Sequence, residues 1–571
     1  MAFQLSPGVN VSEVDLTTVV PSVLTTAGAF AGQFPWGPVG QLTLVDSEIT
    51  LTNYFAPQGP TNASATSFFT AASFLAYGNN LTVVRAANTT STFNSTANTL
   101  TTVYVNNPTN FQYTYLGQNN GNAYGAFVGK YPGAIGNSLT VSVCDTATQF
   151  STWTYSSYFT SAPGTSAYVS SLGGANDEIH IAVVDAGGLF TGTKGTVLET
   201  YPFVSKAVDA VNLFDGSSNY YKQVVFNKSN YVYAIDPPSY STTSSGTGAW
   251  GNHSANTSFT QLSAVQTMPL VNGADGTLTD GDIITAYGLF TNKEQVDISL
   301  VLTADADITV QQYVIDNIAT SRADCVAFIS PPLSAVNQIN TLPTTQIQSW
   351  LTSLARTNSF TVADSGWKYM YDKYNQVYRW IPLNGDIAGL CVNTDQVRDP
   401  WYSPAGFNRG AIKNAIKLAW NPNKTQRDTL YSAGVNPVVT FPGQGTVLFG
   451  DKTLQAKPSA FDRINVRRLF IVLEKAIAKA AQYSLFEFND DFTRAQFVAL
   501  VTPFLRDVQG RRGITDFKVV CDTTNNTAQV INSNQFVGDI YIKPAHAINF
   551  IQLNFVAVGT GVDFTTLVAG A

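Results

Sequence analysis

Charge is what this chain has least of. Only 12% of its 571 residues are Asp, Glu, Lys or Arg, about half the usual share. Its polar surface must therefore be mostly Ser, Thr, Asn and Gln, which cost less to dehydrate than ions. Such a surface suits a subunit with extensive contacts, and equally a stable extracellular β protein. The net charge of −7 argues against a basic field for nucleic acid. Histidine is scarce too: His180, His253 and His546 are scattered, and no HExxH stands among them, so a metal cluster is not expected. The four cysteines, Cys144, Cys325, Cys391 and Cys521, are isolated. That spacing excludes a disulfide scaffold and suits reduced thiols in a cytoplasm. No apolar run reaches the length of a membrane span, so no membrane insertion is expected. The N-terminus MAFQLSPGV has neither a basic nor an apolar region of a secretory signal. Without export, sequons such as Asn62, Asn80 and Asn88 read as polar loops.

What is present is apolar bulk. Hydrophobic residues make up 44% and aromatics 12%, enough to fill several cores, and the length exceeds one ordinary domain. Residues 1–22 read as an extended arm, with Gly8, Val9, Val11 and Val14 strand-like after Pro7. A frayed terminus is the plainer alternative. Ala27–Gly32 reads as a buried strand, Thr66–Tyr77 as a helix and Leu81–Arg85 as a strand, an order that suggests an α/β core. The texture changes near Asn88. Residues 88–273 are rich in Tyr, Ser, Gly and Thr, with short alternating stretches at Leu139–Val143 and Glu178–Val184, and read as a β-rich, outward-facing insertion. The core resumes after it: Ile298–Leu302, Cys325–Ile329 and Gly389–Asn393 read as strands, Gln346–Ala355 and Ile412–Leu418 as helices. The expected fold class is thus α+β / α/β multidomain. A split α/β domain (23–87 and 274–420) carries the insertion, and a C-terminal domain (421–571) holds two helices and a mixed sheet.

The C-terminal stretch carries the most information. Val466, Leu469, Leu473, Ile477 and Ala480 recur at helical spacing, with Asp462 as the expected N-cap. Phe497, Val501, Phe504 and Val508 form a second stripe, with Asn489, Asp490 and Asp491 at its positive end and Pro503 as a kink. The stripes read as core. The flanking charges Arg467, Arg468, Lys475, Lys479, Arg506, Arg511 and Arg512 are ordinarily solvated, and in a polymer they would meet a neighbour or a tube. Phe517–Cys521, Phe536–Lys543 and Ala547–Val558 alternate as strands. The last includes Phe550, Leu553 and Phe555 and runs into an apolar tail.

Several ordered motifs here resemble the contractile tail sheath proteins of T-even-type bacteriophages. They are Asn465–Phe470 (N-V-R-R-L-F), Phe486–Asp490 (F-E-x-N-D), Phe504–Asp507 (F-L-R-D) and Phe517–Asp522 (F-x-V-x-C-D). Pro7–Val9, Phe34–Pro38 (F-x-W-G-P) and Phe74–Asn79 (F-L-x-Y-G-N) extend the resemblance to the other end of the chain. Val271–Gly276 resembles the family's G-G-x-D-G turn, with Asn272 in place of the first Gly. The resemblance implies a structural subunit, assembled in the host cytoplasm into the virion. It implies a helical homopolymer of hexameric rings around a tail tube protein, with baseplate and tail terminator proteins as further partners and with neither cofactor nor direct nucleic-acid contact. Contraction would drive the tube through the host envelope. The terminal segments, Gly8–Val14 and the strand Ala547–Val558 with Phe550, Leu553 and Phe555, would be the subunit-linking arms. A sheath subunit of another contractile injection system, or a surface adhesin using the Tyr-rich insertion, are the alternatives.

Chemistry finds little support. Gly445–Thr453 looks like a phosphate loop, but Asp451 breaks the Gly-Lys-Ser/Thr ending and adds an anion where phosphates would sit. The stretch also resembles the family's G-x-x-L-x-G-D-x-T segment. Asp275, Asp280 and Asp282 do not match a calcium loop, and they read, like Asp305 and Asp307, as turn carboxylates. No G-x-S-x-G elbow is present, so a non-enzyme is expected.

Overall fold

The computed structural model describes residues 23–56, 64–97, 102–116, 124–237, 250, 253–337, 342–549 and 552. The chain divides after Ala480 into two compact units. The architecture is mixed α/β, with helices and several separate sheets.

In the larger unit β1 (Gly28–Gly32), β2 (Thr43–Val45) and β3 (Leu81–Arg85) form first. Six strands then follow before the main sheet resumes: β4 (Phe127–Gly129), β5 (Leu139–Cys144), β6 (Glu178–Asp185), β7 (Thr196–Ser205), β8 (Val232–Ala234) and β9 (Gln266–Pro269). They form a two-stranded β4-β8 pair and an antiparallel sheet in the order β7-β6-β5-β9. β10 (Leu300–Leu302), β11 (Val326–Ile329) and β12 (Thr361–Asp364) return to the main sheet. β13 (Trp367–Asp372) and β14 (Val377–Pro382) make a hairpin that β15 (Lys417–Leu418) joins. β16 (Val435–Asn436) closes the main sheet, and β17 (Val438–Phe441) pairs with β18 (Gly445–Leu448). The main sheet runs β16-β12-β11-β10-β1-β3-β2, parallel except for β2. Residues 421–480 therefore fold with the larger unit.

The parallel strands are buried on both faces, as helical crossovers demand. This is why they read as short apolar runs. The helix Ala65–Leu75 has nearly every residue buried, because a second helix, Asn384–Val397, crosses it closely. A Cβ on Gly385 would lie 2.4 Å from the Thr70 carbonyl oxygen, and one on Gly389 would lie 2.4 Å from the Tyr77 ring. Two expectations fail here. Gly389–Asn393 is not a strand but the middle of that helix; a helix buried all round shows a continuous apolar run in place of a 3.6-residue period. Ile412–Leu418 is not a helix: the Ile416 N–H donates to the Tyr369 carbonyl at 2.9 Å, and Lys417–Leu418 adds to the open edge of the hairpin.

In the smaller unit the helix Asp491–Gly510 begins at Asp490, whose side chain accepts from the Thr493 N–H at 2.9 Å. Phe497, Val501, Leu505 and Val508 are its buried stripe; Leu505 takes the place expected of Phe504, which is half-buried. β19 (Ile514–Val520) and β20 (Asp539–Pro544) form an antiparallel ribbon packed on this helix. Ala547 and Ile548, expected to open a third strand, are not part of a strand among the described residues.

Candidate assembly surfaces

The carboxyl ends of parallel strands are where open α/β sheets bind ligands. Here a hydrogen-bonded network of this chain's own side chains occupies part of that edge. Asn384 donates from Nδ2 to the Ala304 carbonyl and to Ser330 Oγ, each at 2.8 Å. Ser330 donates to buried Asp364 at 2.7 Å. Burial pushes the Asp364 carboxyl up to about 8. Nearby, the Lys368 ammonium lies 2.8 Å from the buried Asp386 carboxylate. The Gly445–Thr453 stretch is a strand and turn. Its buried Asp451 accepts from Ser403 Oγ at 2.9 Å and from the Tyr431 hydroxyl at 3.1 Å, and Lys452 donates to the Tyr431 carbonyl at 2.8 Å. Asp282 completes a capping box with Thr279, and Asp275 accepts from the Ala134 N–H at 2.8 Å. Asp305 accepts from Thr66 Oγ1 at 2.9 Å. Among the described residues no group of His, Cys, Asp and Glu is placed to hold a metal. All four cysteines are buried free thiols. His180 is stacked on Phe159 with centroids 4.4 Å apart, and Nδ1 accepts from the Phe203 N–H at 3.1 Å. Among the described residues no helix is long and apolar enough to cross a membrane.

The residues 34–38 motif joins two cores. The Phe34 ring packs on Phe30 and Phe55 in the main core. Two residues on, Trp36 meets Tyr131 and Phe190 edge-on at 5.5 and 5.2 Å in the core of β5–β7. Just after Trp36 the chain turns at Gly37, where φ is +105° and a Cβ would lie 2.5 Å from the Phe55 ring. Arg85, fully buried at the end of β3, clamps the turn: Nε donates to the Phe34 carbonyl at 2.8 Å and Nη1 to the Gly37 carbonyl at 2.9 Å. Burial pushes its guanidinium down to about 10. The two ends of the 88–273 segment run side by side, since Phe93 and Ala274 exchange both backbone hydrogen bonds at 2.9 and 3.0 Å.

The structure divides the cations expected to face a neighbour. Along the helix Ile464–Ala481, the apolar residues Val466, Leu469, Leu473, Ile477 and Ala480 are buried as expected. Three of the cations on its other faces are consumed inside the larger unit. Arg468 grips Asp395 with two nitrogens at 2.8 and 2.6 Å. Burial alone would lower its guanidinium, and the facing carboxylate more than offsets this. Arg467 lies between the Phe360 and Phe461 rings, 4.2 and 4.0 Å from their centroids. Lys475 donates to Asp297 at 2.8 Å and to the Ile298 carbonyl at 2.7 Å. Lys479 is exposed. Asp462, the expected cap, instead ends a 3₁₀ turn, Ala460–Asp462, that Ser459 caps. In the smaller unit Arg506, Arg511 and Arg512 are all exposed, and Arg511 pairs with Asp507 at 3.5 Å. The arm residues Gly8, Val9, Val11, Val14, Phe550, Leu553 and Phe555 lie outside the described residues.

One surface escaped the periodicity argument. After the first long helix, Tyr483, Leu485, Phe486 and Phe488, and Phe492 in the first turn of the second, are all exposed. So many large apolar side chains left exposed in one short stretch are unusual for a surface and are candidates for contact with a partner. The signal of this surface in the sequence was five large apolar residues clustered within ten positions.

Residues 294–454 match the family described as phage tail sheath protein central domain, and residues 456–557 the phage tail sheath C-terminal domain. The chain is 34% identical to the tail sheath protein of Vibrio phage KVP40 and 32% identical to that of Enterobacteria phage T4, over 99% of both chains in each case. Its fold is similar to that of the sheath tail protein Lin1278 from Listeria innocua. The TM-score is 0.54 at 11% identity, covering 93% of this chain and 94% of that one. The contracted helical sheath of the anti-feeding prophage gives a TM-score of 0.51 at 14% identity, covering 97% and 99%.

Proposed function

We infer the role of this chain from its family: it belongs to the phage tail sheath proteins. It is a structural component of a phage tail. In our reading it polymerises as stacked six-fold rings around a tail tube, held between a baseplate and a tail terminator. It shortens on a signal from the baseplate and drives the tube through the host envelope. The observation that carries this reading is identity of about one residue in three, sustained over 99% of both chains, with relatives named tail sheath proteins.

The physics of such a machine needs no bound fuel. Head-to-tail contacts that do not close generate an open helix. An extended state held by a kinetic barrier stores the free energy that new contacts release on contraction. Strand exchange through residues 1–22 and the C-terminal tail keeps neighbours tethered while the folded units rotate. Host cytoplasm is the place of synthesis and assembly in this reading, consistent with four free thiols.

Electron microscopy of the purified chain, alone and with tube protein, tests the role. Regular sheathed tubes are expected, and discrete particles under every condition would sink it. Removing residues 1–14 tests the arms. The truncated chain should stay folded and soluble yet fail to form sheath, whereas normal sheath from it would mean that the segment carries no lattice contact.

A further inference from the structure

The exposed turn Phe486–Phe488 is built, not slack. Phe486 holds φ at +71°, a conformation rare for a bulky side chain. Such local strain concentrates at functional sites. The turn is braced from inside its own unit. Arg494 donates from Nη1 to both the backbone carbonyl and Oδ1 of Asn489, at 3.1 and 2.7 Å, and Asn489 Nδ2 donates to the Gln535 carbonyl at 2.6 Å. A backbone turn fixed in advance loses little freedom on binding, which favours its use at an interface.

Charge states what the turn fits. Glu487, beside the two phenylalanines, is exposed and acidic. Asp490 and Asp491 follow it but are engaged within the unit, Asp490 capping the helix at the Thr493 N–H and Asp491 paired with Arg494, which leaves Glu487 as the charge on offer. The other end of the same helix is basic. Arg506 and Arg512 are exposed there and, among the described residues, enter no ion pair. The helix Asp491–Gly510 has 20 residues, so its ends stand about 30 Å apart. The acidic, aromatic end therefore cannot reach the basic end of its own helix, although the two are complementary.

We propose that the Phe486–Phe488 turn of one copy docks against the Arg506 and Arg512 end of the same helix in a second copy. This contact is heterologous: each copy offers one acidic and one basic end, so the contact repeats along an open array. The phenylalanines supply the dehydrated centre and the charges set the direction. The inference rests on the sheath reading and gives these arginines a partner, a second copy in preference to the tube.

Charge reversal on the full-length chain tests it, with the concentration at which sheath forms as the readout. Glu487→Arg alone and Arg506→Glu with Arg512→Glu should each raise that concentration about tenfold. Phe486→Ser with Phe488→Ser should raise it further. The chain with all three charges reversed should recover to within about threefold of the unaltered protein, because the complementarity is restored with opposite sign. Unchanged thermal melting of each variant shows that folding is intact, as these side chains are exposed. Recovery overturns any account in which the charges act singly. Normal assembly by the single reversals, or no recovery in the triple variant, overturns the proposal. Self-assembly intact with tube binding lost assigns the surface to the tube and also overturns it. If the unaltered chain forms no sheath under any condition, the sheath reading falls first and the proposal with it.

Discussion

The main parallel sheet and the β-rich segment between β3 and β10 solve the same burial problem by different means. The sheet buries both faces of its strands beneath helices; its core is mainly Phe, Leu, Val, Ile and Ala, and buried polar groups such as Ser330, Asp364 and Asn384 gather at the carboxyl edge. The inserted segment keeps fully buried polar groups among its strands: Lys206 donates to Asp145 at 2.9 Å beneath the Trp250 ring, and Asp177 and Asp185 are buried with side-chain and backbone donors. The main core sets a buried Lys–Asp pair, Lys368 on β13 with Asp386, beside the carboxyl edge of the strands. The lesson concerns linkage. An insertion with its own core needs only a narrow seam, and here the seam is the turn at residues 34–38 with Arg85.

The comparison is broken most sharply by removing one cation from each region. Lys368→Met leaves Asp386 buried without its ammonium, a loss on the order of 3–5 kcal/mol. It should lower the denaturation midpoint of the main core. Lys206→Met should cost a similar amount but be felt locally. Limited proteolysis should then cut within 124–270 while the sheet fragment survives. Equal collapse of both regions in both variants would show that they fold as one cooperative unit.

Trp36→Ala probes the seam. Deleting a buried indole costs about 3–5 kcal/mol, and the loss falls on the inserted core while Phe34 still fills the main one. Calorimetry should then separate one thermal transition into two. A single transition, merely lowered, would mean that the seam is wider than the turn.

The pH dependence of the sheet sharpens the contrast in buried charge. Asp364 has a folded pKa of about 8 against a usual value of 3.8. Between those values the folded chain holds a proton that the unfolded chain releases. Its contribution is complete below about pH 4 and is lost as pH rises towards 8, with a slope of at most about 1.4 kcal/mol per pH unit. Urea midpoints measured from pH 5 to 9 should fall with pH in the natural chain, and more gently in Asp364→Asn. Parallel curves would place the titration elsewhere.

The smallest effect is expected from removing the inserted segment. Its ends already pair through Phe93 and Ala274, so a short Gly-Ser link in place of residues 97–270 spans little distance. With Trp36→Ser added, to avoid a bare indole, the shortened chain should still form sheath in the microscope. A folded chain that cannot polymerise would place lattice contacts in the segment.

Much of this was legible beforehand. β1, β3, β5 and β6 and both long C-terminal helices announced themselves by run length, alternation or amphipathic spacing, since each depends on local pattern. The family followed from motifs at both ends. The errors share one cause. Asn384–Val397 is buried on all sides and so has no polar face to give a period, and Lys417–Leu418 is a strand only because the β13–β14 hairpin offers an edge. The charged face of Ile464–Ala481 misled for a related reason: sequence spacing shows which side of a helix a cation occupies, and not what stands opposite.

Local periodicity, composition and ordered motifs thus determined the fold class, the long helices, the free thiols and the family of this protein. These properties are written within windows of ten to twenty residues. Tertiary structure alone decided which cations remain available. Arg468 meets Asp395 across 73 positions and Lys475 meets Asp297 across 178, and a partner at such a distance is chosen by the path of the backbone. It also decided that Phe486 and Phe488 stay in solvent, because burial belongs to the neighbours that a residue is folded against.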